Sequence, residues 1–372
     1  MVTVLEMPPE NTTTPPPPSE PPEFAPPRRT CFGVLVSLFI ALAVLVIVLI
    51  YFHKLQYATS AVMDGGVSQG ERFGFHLMYV PFTFGDLHSG AKKAAWLYAA
   101  LAAFIFYWVA ARRGRLVAAI LTFILLGASA LFLERMCMAR VYSLSVAALL
   151  LGIHLILTRR YRALAVVMFG TVWLCDDFPL LAGAAACLFV AEALVDKRLN
   201  VGLLRWTLLG MAAGIIINPA FPDNIVSYLS GPSGAAAGAL PLGSGELLTM
   251  ARAVWIVVGL GVLLGLLRGR PTRETVGLLL ISFLATLLLM KAPRSMEIWP
   301  PLALLFAAYS WSDYWQEVVW QSPIRGRLMR GVATIALAGL ILFTPAVYRE
   351  AKGRIAAEKP VNSPSQPVSS ER

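Results

Sequence analysis

The stretch TVWLCDDFPLLAG (171–183) sets two adjacent carboxylates, Asp176 and Asp177, between two hydrophobic runs. A charge at the centre of a bilayer costs roughly 3 kcal/mol on insertion scales, so in an apolar chain such a pair marks a membrane surface or a site. Other groups of the same kind interrupt the apolar sequence. Asp64, Glu71, Arg72, His76, Asp86 and His88 lie in 53–93; Glu134, Arg135 and Arg140 lie in ERMCMAR (134–140); Arg294 and Glu297 lie in KAPRSMEIWP (291–300). A carboxylate here could act as general base on a group within hydrogen-bond reach. An arginine beside it could hold a phosphate through paired, charge-assisted hydrogen bonds. Each group also has a bland reading. Asp64 begins Asp-Gly-Gly, which is turn chemistry, and Asp176 and Asp177 fit a surface turn with Pro179 opening the next helix. Glu134, Arg135 and Arg140 fit interfacial anchors with an internal ion pair, and Arg294 and Glu297 fit an interfacial salt bridge beside a Trp299 belt residue.

The elements that position these groups follow from composition. Of 372 residues, 58% are hydrophobic and 14% charged, against about 45–50% and 25% for soluble domains; the expectation is an all-α, polytopic transmembrane bundle. The net charge of +10 resides in short basic clusters between apolar runs, which orients a membrane protein and excludes nucleic acid as the partner. Cys31, Cys137, Cys175 and Cys187 have neither metal-ligand nor redox spacing, and His53, His76, His88 and His154 are scattered.

Residues 1–30 are a Pro-rich tail, expected disordered and cytoplasmic. Arg28 and Arg29 precede a signal anchor over about 31–52. Further spans are expected near 94–111, 116–133, 141–157, 163–175, 178–195, 202–218, 253–267, 274–290, 298–313 and 331–347, about eleven helices in a membrane domain covering 31–348. Alternate connections carry Arg112/Arg113/Arg115, Arg159/Arg160/Arg162, Lys197/Arg198, Arg268/Arg270/Arg273 and Arg325/Arg327/Arg330, which makes that face and the N-terminus cytoplasmic. The opposite face then receives the first loop 53–93, ERMCMAR, the DDFP turn, 218–250 and KAPRSMEIWP, and nearly all acidic residues outside the tails. Residues 349–372 form a second disordered tail. Near the middle of the spans the ionisable residues are few: His154, Arg205 and Glu192.

FHLMYVPFTFGDLHSGAK (75–92), ERMCMARVYSLSVAALL (134–150), VWLCDDFPLL (172–181), INPAFPDNIVSYL (217–229) and KAPRSMEIWPPLALLFAA (291–308), in this order, resemble the GT-C superfamily of polytopic membrane glycosyltransferases, in particular bacterial members with oligosaccharyltransferase-like or mannosyltransferase-like cores. The resemblance implies a GT-C-like fold in a bacterial inner membrane. It implies transfer of a sugar from a polyprenyl-phosphate donor to an acceptor on the outer face. Asp64 inherits the general-base role, Asp176 or Asp177 is a second acid, and Arg294 is a phosphate ligand. Glu71, His76, Glu134, Arg135, Arg140 and Glu297 complete the expected substrate-binding set. A divalent metal bridging phosphate and carboxylate stays open at this point; the implied partners are the lipid-linked donor and membrane lipid, and a protein partner stays open. Because YATSAVMDGG lacks the aromatic flank expected around the acid, a non-catalytic polytopic protein (a transporter, a handler of lipid-linked intermediates or an assembly partner) remains the alternative.

Overall fold

The computed structural model describes residues 40–48, 78, 80–82, 87–127, 130–137, 141–175, 177–218, 221, 252–269, 271–291 and 296–321, with 324, 331 and 349. By contacts the chain divides into residues 1–39 and 40–372, and every described residue belongs to the second unit. All described elements are helical. After a helical stretch at 40–48 and a 3-10 turn, Val80–Phe82, come α1 (Leu87–Ala110), α2 (Arg115–Leu126), α3 (Ala130–Cys137), α4 (Tyr142–Leu157) and α5 (Tyr161–Leu174). They are followed by α6 (Phe178–Val195), α7 (Val201–Ile216), α8 (Arg252–Arg268), α9 (Arg273–Lys291) and α10 (Trp299–Gln321). Three helices, Lys92–Ala110, Phe178–Val195 and Arg273–Met290, are long and apolar enough to cross a membrane. α2, α4, α5 and α7 are shorter apolar helices.

The helix order expected over 94–313 stands, with three corrections. The span expected at 116–133 breaks at Gly127, whose N–H closes the end of α2 on the Phe123 and Ile124 carbonyls at 3.0 and 3.1 Å. ERMCMAR is not simply a turn: its first four residues form the second half of α3. The last helix also runs past 313 to Gln321. The spans at 31–52 (beyond 40–48) and 331–347, the first loop apart from its few described residues, and both tails lie outside the described residues.

From α1 to α7, and from α8 to α10, connections are short, so successive helices run back and forth, and the packing follows from small residues. α5 packs most closely on α7, where Gly210 and Gly214 face it: a methyl on Gly210 would strike the Ala165 carbonyl, and one on Gly214 would come within 2.8 Å of Val172 Cβ. Without a hydrophobic drive between apolar helices, such close backbone approach is what dispersion can exploit. The Trp173 indole N–H donates to the Gly214 carbonyl at 3.0 Å across the same seam. α6 lies against α9, α8 and α9 against α10, and α4 against α1.

Trp299, Tyr107, Tyr309 and Phe106 are the largest of the fully buried side chains. Trp299 donates to Thr286 Oγ1 at 2.8 Å and its ring lies 4.5 Å from that of Trp255; it is a core residue, not one of an aromatic belt. The outer surface is apolar: Val166, Ile256, Leu266 and Met290 are each at least 70% exposed.

Candidate functional site

The back-and-forth course gathers the connectors at two ends. Of the described residues, one end receives 127, 130–137, 141, 175, 177 and 296–298; the other receives 111–114, 158–160, 196–200, 269, 271 and 272. At the first, three residues singled out by the sequence converge. α3 carries Arg135, and Glu297 sits in a tight turn just before Pro300 and Pro301 open α10. Arg135 Nη1 donates to Glu297 Oε2 at 2.9 Å, and the Glu297 side chain is 4% exposed. Asp177 stands at the N-cap position of α6, yet its carboxylate makes no capping hydrogen bond. Instead it accepts from the Ser145 hydroxyl, in the first turn of α4, at 3.1 Å.

These charges act on one another. Burial is the largest influence on Glu297 and pushes its carboxyl up; the Arg135 charge and hydrogen bond pull it down, and Asp177 adds to the rise, leaving Glu297 at about 7. A carboxyl there is poised to exchange a proton near neutrality. Among the described residues no group of three or more His, Cys, Asp or Glu could hold a metal ion. Beside Glu297 the Arg135 guanidinium already stands where a cation would, so these residues do not fit a metal.

Of the expected site residues, Asp177, Arg135 and Glu297 are thus brought together. Glu134 lies on α3 next to Arg135, its side chain outside the description. Asp64, Glu71, His76, Arg140, Asp176 and Arg294 also lie outside the described residues.

The opposite end holds a polar network that sequence reasoning passed over. Asp313, 3% exposed, accepts from Thr272 Oγ1 at 3.1 Å and Thr275 Oγ1 at 2.9 Å. It pairs with Arg268 at 2.9 Å and with Arg113 at 3.4 Å. Arg113 also meets Glu274 at 2.6 Å and lies 5.4 Å from the centre of the Tyr309 ring, while Arg268 reaches Glu317 at 3.2 Å. Burial lowers the Arg113 pKa, but Glu274 and Asp313 outweigh it and leave it raised. Beside this, Glu192 pairs with Arg159 at 2.8 Å and Arg273 at 3.4 Å, and Arg273 with Asp196 at 3.1 Å. The expected segregation of acids to the other face is therefore corrected: Glu192, Asp196, Glu274, Asp313 and Glu317 all neutralise arginines at this end. Glu192 and Arg205 are not mid-helix groups, since Glu192 lies in the last turn of α6 and Arg205 in the second turn of α7. The available signal was local: an Asp313/Glu317 pair four residues apart, closing an otherwise apolar helix.

Compared with protein-family models and with curated proteins, the sequence matches none.

Proposed function

We propose that this chain is a multi-pass protein of a bacterial inner membrane and a GT-C-like glycosyltransferase, moving a sugar from a polyprenyl-phosphate carrier to an acceptor on the outer face. The observation that supports this reading is the meeting of Arg135, Glu297 and Asp177, from three connectors distant in sequence, at the end opposite the basic connectors. The apolar outer surface supports the membrane setting, because monomeric soluble proteins rarely expose large contiguous apolar patches. In the reaction the acceptor hydroxyl oxygen attacks the anomeric carbon, the bond from that carbon to the phosphate oxygen breaks, and polyprenyl phosphate leaves. A carboxylate takes the hydroxyl proton and arginine N–H groups offset the charge growing on phosphate. Asp64 keeps the base role that the resemblance implies, and Arg294 the phosphate role.

The second reading, a non-catalytic handler of lipid-linked intermediates, is favoured by the Arg135–Glu297 ion pair, which already engages the arginine and the carboxylate with one another. Release of polyprenyl phosphate from a panel of polyprenyl-phosphate sugars, in membranes bearing the chain, decides between them. The transferase reading expects release that falls at least a hundredfold in Asp64→Asn and Glu297→Gln at unchanged protein level. No release by the intact wild-type protein across the panel would move the assignment to the second reading.

A further inference from the structure

Three connectors at the arginine end contain a residue in the left-handed backbone region. After α8 it is Gly269, at φ 67°, the ordinary choice. After α4 it is Arg159, at φ 57°, and after α6 it is Lys197, at φ 52°. The Arg160 N–H to Leu155 carbonyl and Arg159 N–H to Ile156 carbonyl bonds, each 2.9 Å, form the helix closure in which glycine normally occupies the Arg159 position. Twice, then, a cation stands where backbone comfort asks for glycine. Each follows a helix C-terminus, whose partial negative charge favours it.

Arg159 borders a cavity of about 30 Å³ that is also lined by Tyr161, Glu192, Arg273 and Glu274 over Leu188 and Leu203. Glu192 Oε1 accepts one N–H from each arginine and so draws guanidiniums from two connectors to one place, leaving further donors on both. The Arg159 side chain is 53% exposed and that of Arg273 32%. Arg160 and Arg162, beside Arg159, and Lys197 and Arg198, on the connector after α6, are also exposed. Six cations thus stand against three carboxylates, Glu192, Asp196 and Glu274. Beside them Leu194, Leu199 and Val201 are each at least 65% exposed. A pocket whose own charges balance but whose surrounding connectors carry an excess of exposed cations, flanked by exposed aliphatic side chains, suits an acidic lipid: phosphate for the arginines, acyl chain for the leucines.

We propose that Arg159, Arg273 and Tyr161 bind the phosphate headgroup of an acidic phospholipid in the leaflet at the arginine end. This rests on the membrane setting of the bundle and is independent of the transferase reading. The site lies at the opposite end from Glu297 and serves to anchor α4, α6 and α9 to the lipid surface.

The test uses the full chain purified in neutral detergent and follows its thermal unfolding during titration with phosphatidylglycerol, phosphatidylcholine or inorganic phosphate. Phosphatidylglycerol is expected to raise the midpoint and the other two to leave it in place. In R159G/R273Q the apparent affinity for phosphatidylglycerol should fall at least tenfold. Because glycine suits the Arg159 backbone, R159G alone should fold normally and still bind several-fold more weakly, which covers the case of a double variant that fails to fold. Unchanged affinity in R159G and the double variant would overturn the proposal, as would equal stabilisation by phosphatidylcholine. Equal stabilisation by inorganic phosphate would give the site to a soluble anion and overturn the lipid assignment. Alkaline carbonate extraction of membranes tests the membrane setting separately: recovery of the chain in the soluble fraction would refute that setting, not the anion chemistry of the pocket.

Discussion

Arg135 and Glu297, 162 positions apart in the chain, meet at 2.9 Å at one end of the bundle and tie α3 to the turn that opens α10. Removing Arg135 takes away the charge and the hydrogen bond that hold the buried Glu297 carboxyl down, so Glu297 stays protonated and loses a donor, which costs about 1–3 kcal/mol. Arg135→Gln is expected to lower the thermal midpoint in detergent markedly. The double variant Arg135→Gln/Glu297→Gln should be more stable than the sum of the two single effects predicts. Simple additivity would show that the pair contributes nothing as a pair.

Glu297 also makes stability depend on pH. Its folded pKa of about 7 lies above the ordinary 4.5, so between these values the folded state binds more protons than the unfolded state. Stability must then fall as pH rises from about 4.5 to about 7, by up to ~3 kcal/mol at about 1.4 kcal/mol per pKa unit. Unfolding midpoints measured across that window should decline in wild type and lose this component in Glu297→Gln. A wild-type profile that rises there would contradict the sign.

The Asp313 network joins α8, α9 and α10 to the connector between α1 and α2. Asp313→Asn leaves Arg113 and Arg268 with only Glu274 and Glu317, and is expected to cost about 3 kcal/mol, at the lower end for broken buried pairs. Chemical denaturation in mixed micelles should show the loss, while polyprenyl-phosphate release changes by less than twofold once equal amounts of folded protein are compared. A large loss of turnover in folded D313N protein would move this network into the functional machinery.

Close packing of α5 on α7 sets opposite signs for two glycine substitutions. Gly214→Val has no room against Val172 and the Phe169 carbonyl and should destabilise by about 1–3 kcal/mol, as overpacking does. Gly170→Ala, also on α5 but with open space around it, should be neutral or stabilising by up to ~1 kcal/mol, since alanine is the better helix former. Equal effects of the two would show that the α5–α7 seam is looser than the close approach of Gly214 to Val172 requires.

The sequence alone determined what depends on local chemistry. Apolar runs bounded by Pro179, Pro300 and the basic clusters specify helices and their order, because run length, turn residues and charge act within a few positions of one another, whereas the break at Gly127 inside an unbroken apolar run was not legible. The alternation of Arg112/Arg113/Arg115, Arg159/Arg160/Arg162 and Arg268/Arg270/Arg273 along the chain likewise marked which connectors share an end. What no local pattern could decide was how each helix is rotated. α6, α7 and α8 are apolar all round, so no stripe distinguishes buried Leu203 from exposed Leu208, and side-chain type carries no information about facing. Only packing, through close approaches such as Gly214 against Val172, fixes that rotation. It alone turned Asp177 away from capping its own helix toward Ser145, joined Glu297 to Arg135, and buried Asp313 between two arginines whose segments lie far from it in the chain.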